Sequence, residues 1–195
     1  MKKILFAIFL TVSVLTSYSQ IKSDTSKHIT FKGVPIDGTL NDFIGKLKKG
    51  GVSYISTKDG IAQFKGEFAG YNDCTIYAIS QKDLVYRVGV IFPEQSTWSS
   101  LSDNYFNLKR LLIEKYGKFT TIAKEEFQNS KIDDDNSKMY EVKMGRCKYS
   151  LTCGTSEGII ELSISNISVS NCFVKLIYED KINGEIKQLQ AKDDL

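Results

Sequence analysis

Histidine is all but missing from this chain: among 195 residues His28 is the only one, and it lies in a polar N-terminal stretch. A serine or cysteine nucleophile activated by imidazole would have to use that single side chain, so both classes of covalent catalysis are poorly supported. Proline is scarce too, at 2 residues, and no proline-rich or glycine-rich linker divides the chain. Gly66 and Gly70 are four apart, but no lysine and serine or threonine follow them, so there is no phosphate-cradling loop.

An excess of either charge is also lacking. The 26 basic residues, less Lys2 and Lys3 of the leader described below, leave 24 against 23 acidic ones. A mature chain so near neutrality has no electrostatic footprint for nucleic acid or anionic lipid. The four cysteines, Cys74, Cys147, Cys153 and Cys172, are never two to four residues apart, and His28 is distant from all of them. That spacing disfavours a zinc site, and no cofactor is expected.

The strongest positive signal is at the start. Lys2 and Lys3 precede an apolar run from Ile4 to Leu15, and Ser17 and Ser19 supply small residues before Gln20. This pattern predicts a signal peptide at 1–19, cleaved before Gln20. The apolar core has 12 residues, too few for a bilayer that needs about 20. No membrane insertion is therefore expected after cleavage, and the mature protein is placed in the periplasm or outside the cell. In that setting an even number of cysteines favours structural disulfides, with buried unpaired thiols as the alternative.

The mature part, 20–195, has an ordinary globular composition and reads as one α+β domain. Thr39 caps a first helix, with Asp42 at N3 and an apolar stripe of Leu40, Phe43, Ile44 and Leu47 that stops at Gly50-Gly51. Strand patterns follow around Phe64-Lys-Gly-Glu-Phe68, at 74–80 and at 85–92. Ser96 or Thr97 then caps a second helix with Leu101, Tyr105, Leu108 and Leu112 on its buried side, an Arg110–Glu114 pair, and an end at Tyr116-Gly117. The 119–127 stretch is ambiguous between strand and helix, 129–138 reads as an acidic loop, and strands resume at 139–144, 147–153, 159–165 and 172–178. Asp193-Asp194-Leu195 is expected to fray.

The two parts rhyme. Val88-Gly-Val-Ile-Phe-Pro-Glu94 closes the first and Val174-Lys-Leu-Ile-Tyr-Glu-Asp180 the second. Tandem units at 29–94 and 96–180 would give one curved antiparallel sheet with two helices on one face. Coincidence is the alternative, because any α+β chain offers two helices and two apolar strands. Phe31-Lys-Gly-Val-Pro-Ile-Asp-Gly-Thr-Leu40, Phe68-Ala-Gly-Tyr71, Phe92-Pro93 through Trp98 and Lys115-Tyr-Gly117 resemble a family of uncharacterised exported proteins of gut bacteria. The helix-then-sheet tandem is similar to the beta-lactamase-inhibitor-protein-like fold. That resemblance implies a binder rather than an enzyme, with the exposed sheet face as the gripping surface.

The remaining polar features point to no chemistry. Asp133-Asp134-Asp135-Asn136 lacks the alternating ligands, turn glycine and distal glutamate of a calcium loop and reads as a solvated loop. Glu67, Asp73, Glu161 and Glu179 could serve a hydrolase only if two of them converged in a cleft. Asn166-Ile-Ser168 fits a glycosylation sequon but reads as a turn.

One face of the sheet is more informative. Strand alternation places Tyr77, Ile79, Arg87, Ile91, Phe173, Lys175 and Ile177 opposite the core-facing residues. A wetted face should be polar there; aromatics, isoleucines and an arginine are what protein-binding surfaces enrich. The sequence thus predicts an exported, non-catalytic protein that holds a protein or peptide on this face. Cover by its own chain, or a homodimer in place of a monomer, would explain the same residues. The alternative functions are a carrier for a small apolar ligand and a carboxylate-dependent hydrolase.

Overall fold

The computed structural model describes residues 27–117, 121–129, 131–168 and 170–193. The predicted leader at 1–19, most of the polar lead-in, the start of the 119–127 stretch and the tail Asp194-Leu195 lie outside the described residues.

A two-residue hairpin opens the fold, β1 (Thr30–Phe31) against β2 (Val34–Pro35), and leads to α1 (Leu40–Lys49). Thr39 caps α1 as its sequence predicts, its hydroxyl accepting from the Asp42 N–H at 3.2 Å. Ten residues are too few for a stable isolated helix. What holds α1 is burial of Leu40, Phe43 and Leu47, each contributing about 1.5–3 kcal/mol.

Four strands follow: β3 (Ser53–Lys58), β4 (Ile61–Phe68), β5 (Tyr71–Gln81) and β6 (Leu84–Ile91). They are joined by the two-residue turns Asp59-Gly60, Ala69-Gly70 and Lys82-Asp83, each with positive φ at both positions. Such turns match the twist of antiparallel neighbours. The second half again runs from a helix into four strands, but with one helix inserted after its first strand and another at its end. Helix α2 (Trp98–Tyr116) precedes β7 (Thr121–Phe127), α3 (Asp135–Lys143), β8 (Cys147–Gly154), β9 (Gly158–Asn166), β10 (Cys172–Asp180) and α4 (Lys181–Asp193).

Among the described residues, the eight long strands form one antiparallel sheet in the order β3-β4-β5-β6-β10-β9-β8-β7, with no strand beyond β3 or β7. The last strands of the two halves meet at its centre. There Val90 pairs with Leu176 and Val88 with Tyr178, while the Phe92 N–H donates to the Val174 carbonyl. If the rhyming segments are superposed, Val90 matches Leu176 and Phe92 matches Tyr178, so the junction pairs each segment with the reverse of the other. Helices α1 and α2 cover one face, and a single apolar cluster runs from Phe43 and Leu47 through Ile76, Val88 and Leu176 to Leu108 and Leu162.

The α+β class, the antiparallel sheet and both predicted helices are observed, but two further helices correct the reading. The 139–144 stretch is not a strand: α3 occupies it and takes in the end of the predicted acidic loop. The 181–193 stretch is the helix α4. The ambiguous 119–127 stretch is strand β7 in its described part.

The cysteines also depart from expectation. No disulfide joins Cys74, Cys147, Cys153 and Cys172, all of which are described. The topology gives the reason. Cys74 is on β5, Cys147 and Cys153 on β8 and Cys172 on β10, and no two of these strands are neighbours. Strands two places apart are separated by about 9–10 Å, beyond the roughly 7 Å that a disulfide spans. Cys147 and Cys153 share a strand but lie six residues apart along it.

Candidate functional site

The uncovered face of the sheet is built by the residues that alternate with the core. In β5, Cys74, Ile76 and Ala78 are fully buried, which turns Thr75, Tyr77 and Ile79 outward. In β6, buried Val88 and Val90 turn out Arg87, Gly89 and Ile91, and in β10, buried Leu176 and Tyr178 turn out Lys175, Ile177 and Glu179. The register sets these residues in rows. One row crosses the sheet as Gln63, Tyr77, Gly89, Ile177, Glu161, Thr152 and Ile122. On one side of it run Ile61, Ile79, Arg87, Glu179 and Ile159; on the other, Thr75, Ile91, Lys175, Ser163, Ser150 and Lys124.

Gly89 stands at the centre of this face, and a Cβ added to it would meet nothing within 4 Å. The missing side chain leaves a groove of about 260 Å³ between Tyr77 and Ile177, open to solvent, with Ile61, Ile79, Arg87, Ile91 and Lys175 around it. Six of the seven residues singled out from the sequence thus line one depression. Phe173 does not. It is 4% exposed, which corrects the expectation that it presents to solvent. Arg87 is engaged as well: its Nε donates to Glu179 Oε2 at 2.9 Å and its Nη2 contacts the same oxygen. It forms one wall of the groove as half of an ion pair.

A second recess, of about 420 Å³, adjoins this one where β10 passes into α4, lined by Gly154, Gly158, Ile159, Glu179, Lys181 and Gly184 among others. Of the carboxylates considered for hydrolysis, Glu179 is held by Arg87 and Asp73 lies 3.0 Å from Lys65 Nζ.

His28 is not the solvated residue its sequence position suggests. Its Nδ1 lies 3.1 Å from Asp180 Oδ1 and its Nε2 3.5 Å from Asp37 Oδ2. Asp180 is fully buried and also accepts from the backbone N–H groups of Ile29 and Asn183, each at 2.9 Å. Asn183 in turn donates to the carbonyls of Ile36 and Val85 and to Asp37 Oδ1. Burial would raise the Asp37 pKa, but the Asn183 amide, the Gly38 N–H and His28 together hold it below the ordinary value. This cluster clasps the first described residues to the start of α4. No sequence spacing announces it, since His28, Ile29 and Asp37 meet Asp180 and Asn183 across 146–152 residues.

The acidic loop proves structural too. Asp134 caps α3, accepting from the Ser137 N–H at 2.9 Å. Asp135 caps a different helix, accepting from Trp98 N–H at 3.1 Å and Ser99 N–H at 2.6 Å at the start of α2. Among the described residues, no group of three or more histidine, cysteine or acidic side chains could hold a metal ion, and no helix is long and apolar enough to cross a membrane. Comparison of this chain with protein-family models, with curated proteins and with solved structures found no match.

Proposed function

We propose that this is an exported, non-catalytic binding protein that holds a protein or peptide against the open face of its sheet, with the Gly89 groove as the anchor point. The observation that carries this reading is the convergence of Tyr77, Ile79, Ile91 and Ile177 around a glycine on a face that solvent alone would make polar. An apolar depression framed by charge, here Lys175 and the Arg87–Glu179 pair, is the form that interface anchors fill. A carrier for a small apolar ligand is favoured less, because the Gly89 groove lies open to solvent on a sheet face, whereas small-molecule sites bury most of their ligand's surface.

The test fills the groove without touching the core. Gly89→Gln adds a side chain into open space, and Tyr77→Lys replaces one wall. Chain 20–195 and the two variants are used to capture material from envelope and culture fractions. A protein retained by the parent and lost from both folded variants supports the reading. Equal retention by all three, or none by any, rules this face out as the site.

A further inference from the structure

The sheet has two edges, and they are built differently. At one end, the pairing of β3 with β4 slips between Tyr54 and Ser56. A bulge of this kind interrupts the outer row of backbone groups and blunts the edge. At the other end, β7 pairs with β8 without interruption through seven successive positions, from Thr121 opposite Cys153 to Phe127 opposite Cys147. Among the described residues no strand lies beyond β7, so its outer backbone groups form a template for another strand.

The side chains of β7 say which strand fits. Lys124 and Glu126 both project from the open face and are exposed; in the single chain they pair with each other at 2.7 Å. Glu125 points to the other face, where it accepts from Tyr105 Oη at 3.1 Å and from Lys109 Nζ at 2.5 Å. If a second β7 lies antiparallel to the first with its two-fold axis at Glu125, Lys124 stands opposite Glu126 of the copy and Glu126 opposite Lys124. Directly opposed unlike charges stabilise an antiparallel pair, and like charges oppose it. In this register Glu126 has Lys148 of β8 on one side and the second copy's lysine on the other. The two Glu125 carboxylates that meet at the axis each carry their own Lys109. A shift of the axis by one residue, to Lys124, would set lysine against lysine.

We infer that β7 is the interface between two copies of this chain, joined edge to edge in the register that places Lys124 opposite Glu126. A two-fold axis perpendicular to the sheet keeps corresponding faces together. The dimer therefore carries both Gly89 grooves on one side of a continuous sheet. This inference stands apart from the proposed function and holds whatever the groove binds.

Sedimentation of chain 20–195 over a concentration series up to near-millimolar tests it, with far-UV circular dichroism to check that each variant is folded. The parent should dimerise reversibly. Lys124→Glu and Glu126→Lys should each weaken the dimer by about tenfold or more, because every reversal places like charges opposite each other twice. The Lys124→Glu/Glu126→Lys/Lys148→Glu chain restores both pairs across the interface, keeps an unlike charge opposite residue 126 on β8, and should regain the parent's association. A parent that stays monomeric throughout overturns the inference. So does a dimer that the single reversals leave unchanged, or one that the triple change fails to rescue.

Discussion

Arg87 and Glu179 face each other directly across the line where the two halves of the sheet meet, with Nε 2.9 Å from Oε2. Their side chains are 34% and 25% exposed, between a solvated pair worth little and a buried one whose rupture is severe. Glu179→Gln should therefore lower stability by about 1 kcal/mol, or about 2–4 °C in Tm for a chain of this length. A double-mutant cycle with Arg87→Gln should show coupling of the same size. Additive effects would mean that the central strands hold together through apolar pairing alone.

Tyr77 and Phe173 read alike in the sequence but should behave oppositely. Phe173→Ala opens a cavity at a 4% exposed site and should cost about 3 kcal/mol or more. Tyr77→Ala, at a half-buried groove wall, should cost about 1 kcal/mol or less. Urea denaturation of the two variants measures the contrast. Similar losses would place Tyr77 in the core and remove the groove from consideration.

What could be read from the sequence follows from how each element is held. Helices α1 and α2 carry their caps and buried stripes in consecutive residues, so Thr39, Thr97 and the Leu101–Tyr105–Leu108–Leu112 side were visible. The open face was visible for the same reason, since strand alternation is local; burial of Phe173 was not, because it depends on what lies over that end of β10. Helix α4 buries Asn183 and Gly184 while Ile186 and Leu189 stay exposed, so no apolar stripe marks it. Its cap, Asp180, is hidden at the end of a strand. In α3, Met139 and Val142 are buried beside Glu141 while Tyr140 is exposed, a pattern that alternation imitates. The cysteines misled because their even number speaks of redox setting, whereas bridging depends on strand order.

The His28–Asp37–Asn183 clasp makes acid stability depend on Asp37. Its folded pKa is below the ordinary 3.8, so its contribution is present above the unfolded value and is lost as pH falls through the folded one. Asp37→Asn should thus lower Tm at neutral pH, and the gap from the parent should close in acid below about pH 4. A gap that is constant across the series would assign the loss to geometry rather than to the carboxylate charge.

Asp135 reaches from α3 to cap α2, and the hydrogen bonds from Ser99 hold its carboxyl below the ordinary range. Asp135→Ala leaves the Trp98 and Ser99 N–H groups without that acceptor at the first turn of α2. Tm should fall, and the fluorescence of Trp98, whose ring packs 4.8 Å from Phe127 and 4.9 Å from Tyr149, should report a loosened turn. Calcium should leave the parent's Tm unchanged, because Asp134 and Asp135 already serve the two helix starts. Stabilisation by calcium that Asp135→Ala abolishes would show that the cluster binds the ion instead.

The thiols give the most direct check on strand order. Burial pushes the pKa of Cys74 up to about 11 and that of Cys147 up to about 12, and it raises Cys172 as well. Since the thiolate is the reactive form, native protein made under oxidising conditions should react slowly with an aromatic disulfide reagent at neutral pH. All four cysteines should become available in denaturant. Reductant should leave Tm unchanged, for no bridge closes a loop whose opening would release chain entropy. A fall in Tm with reductant, together with fewer than four reactive thiols after unfolding, would mean that two of these cysteines are joined. For Cys147 and Cys172 that requires β8 or β10 to leave its place beside β9.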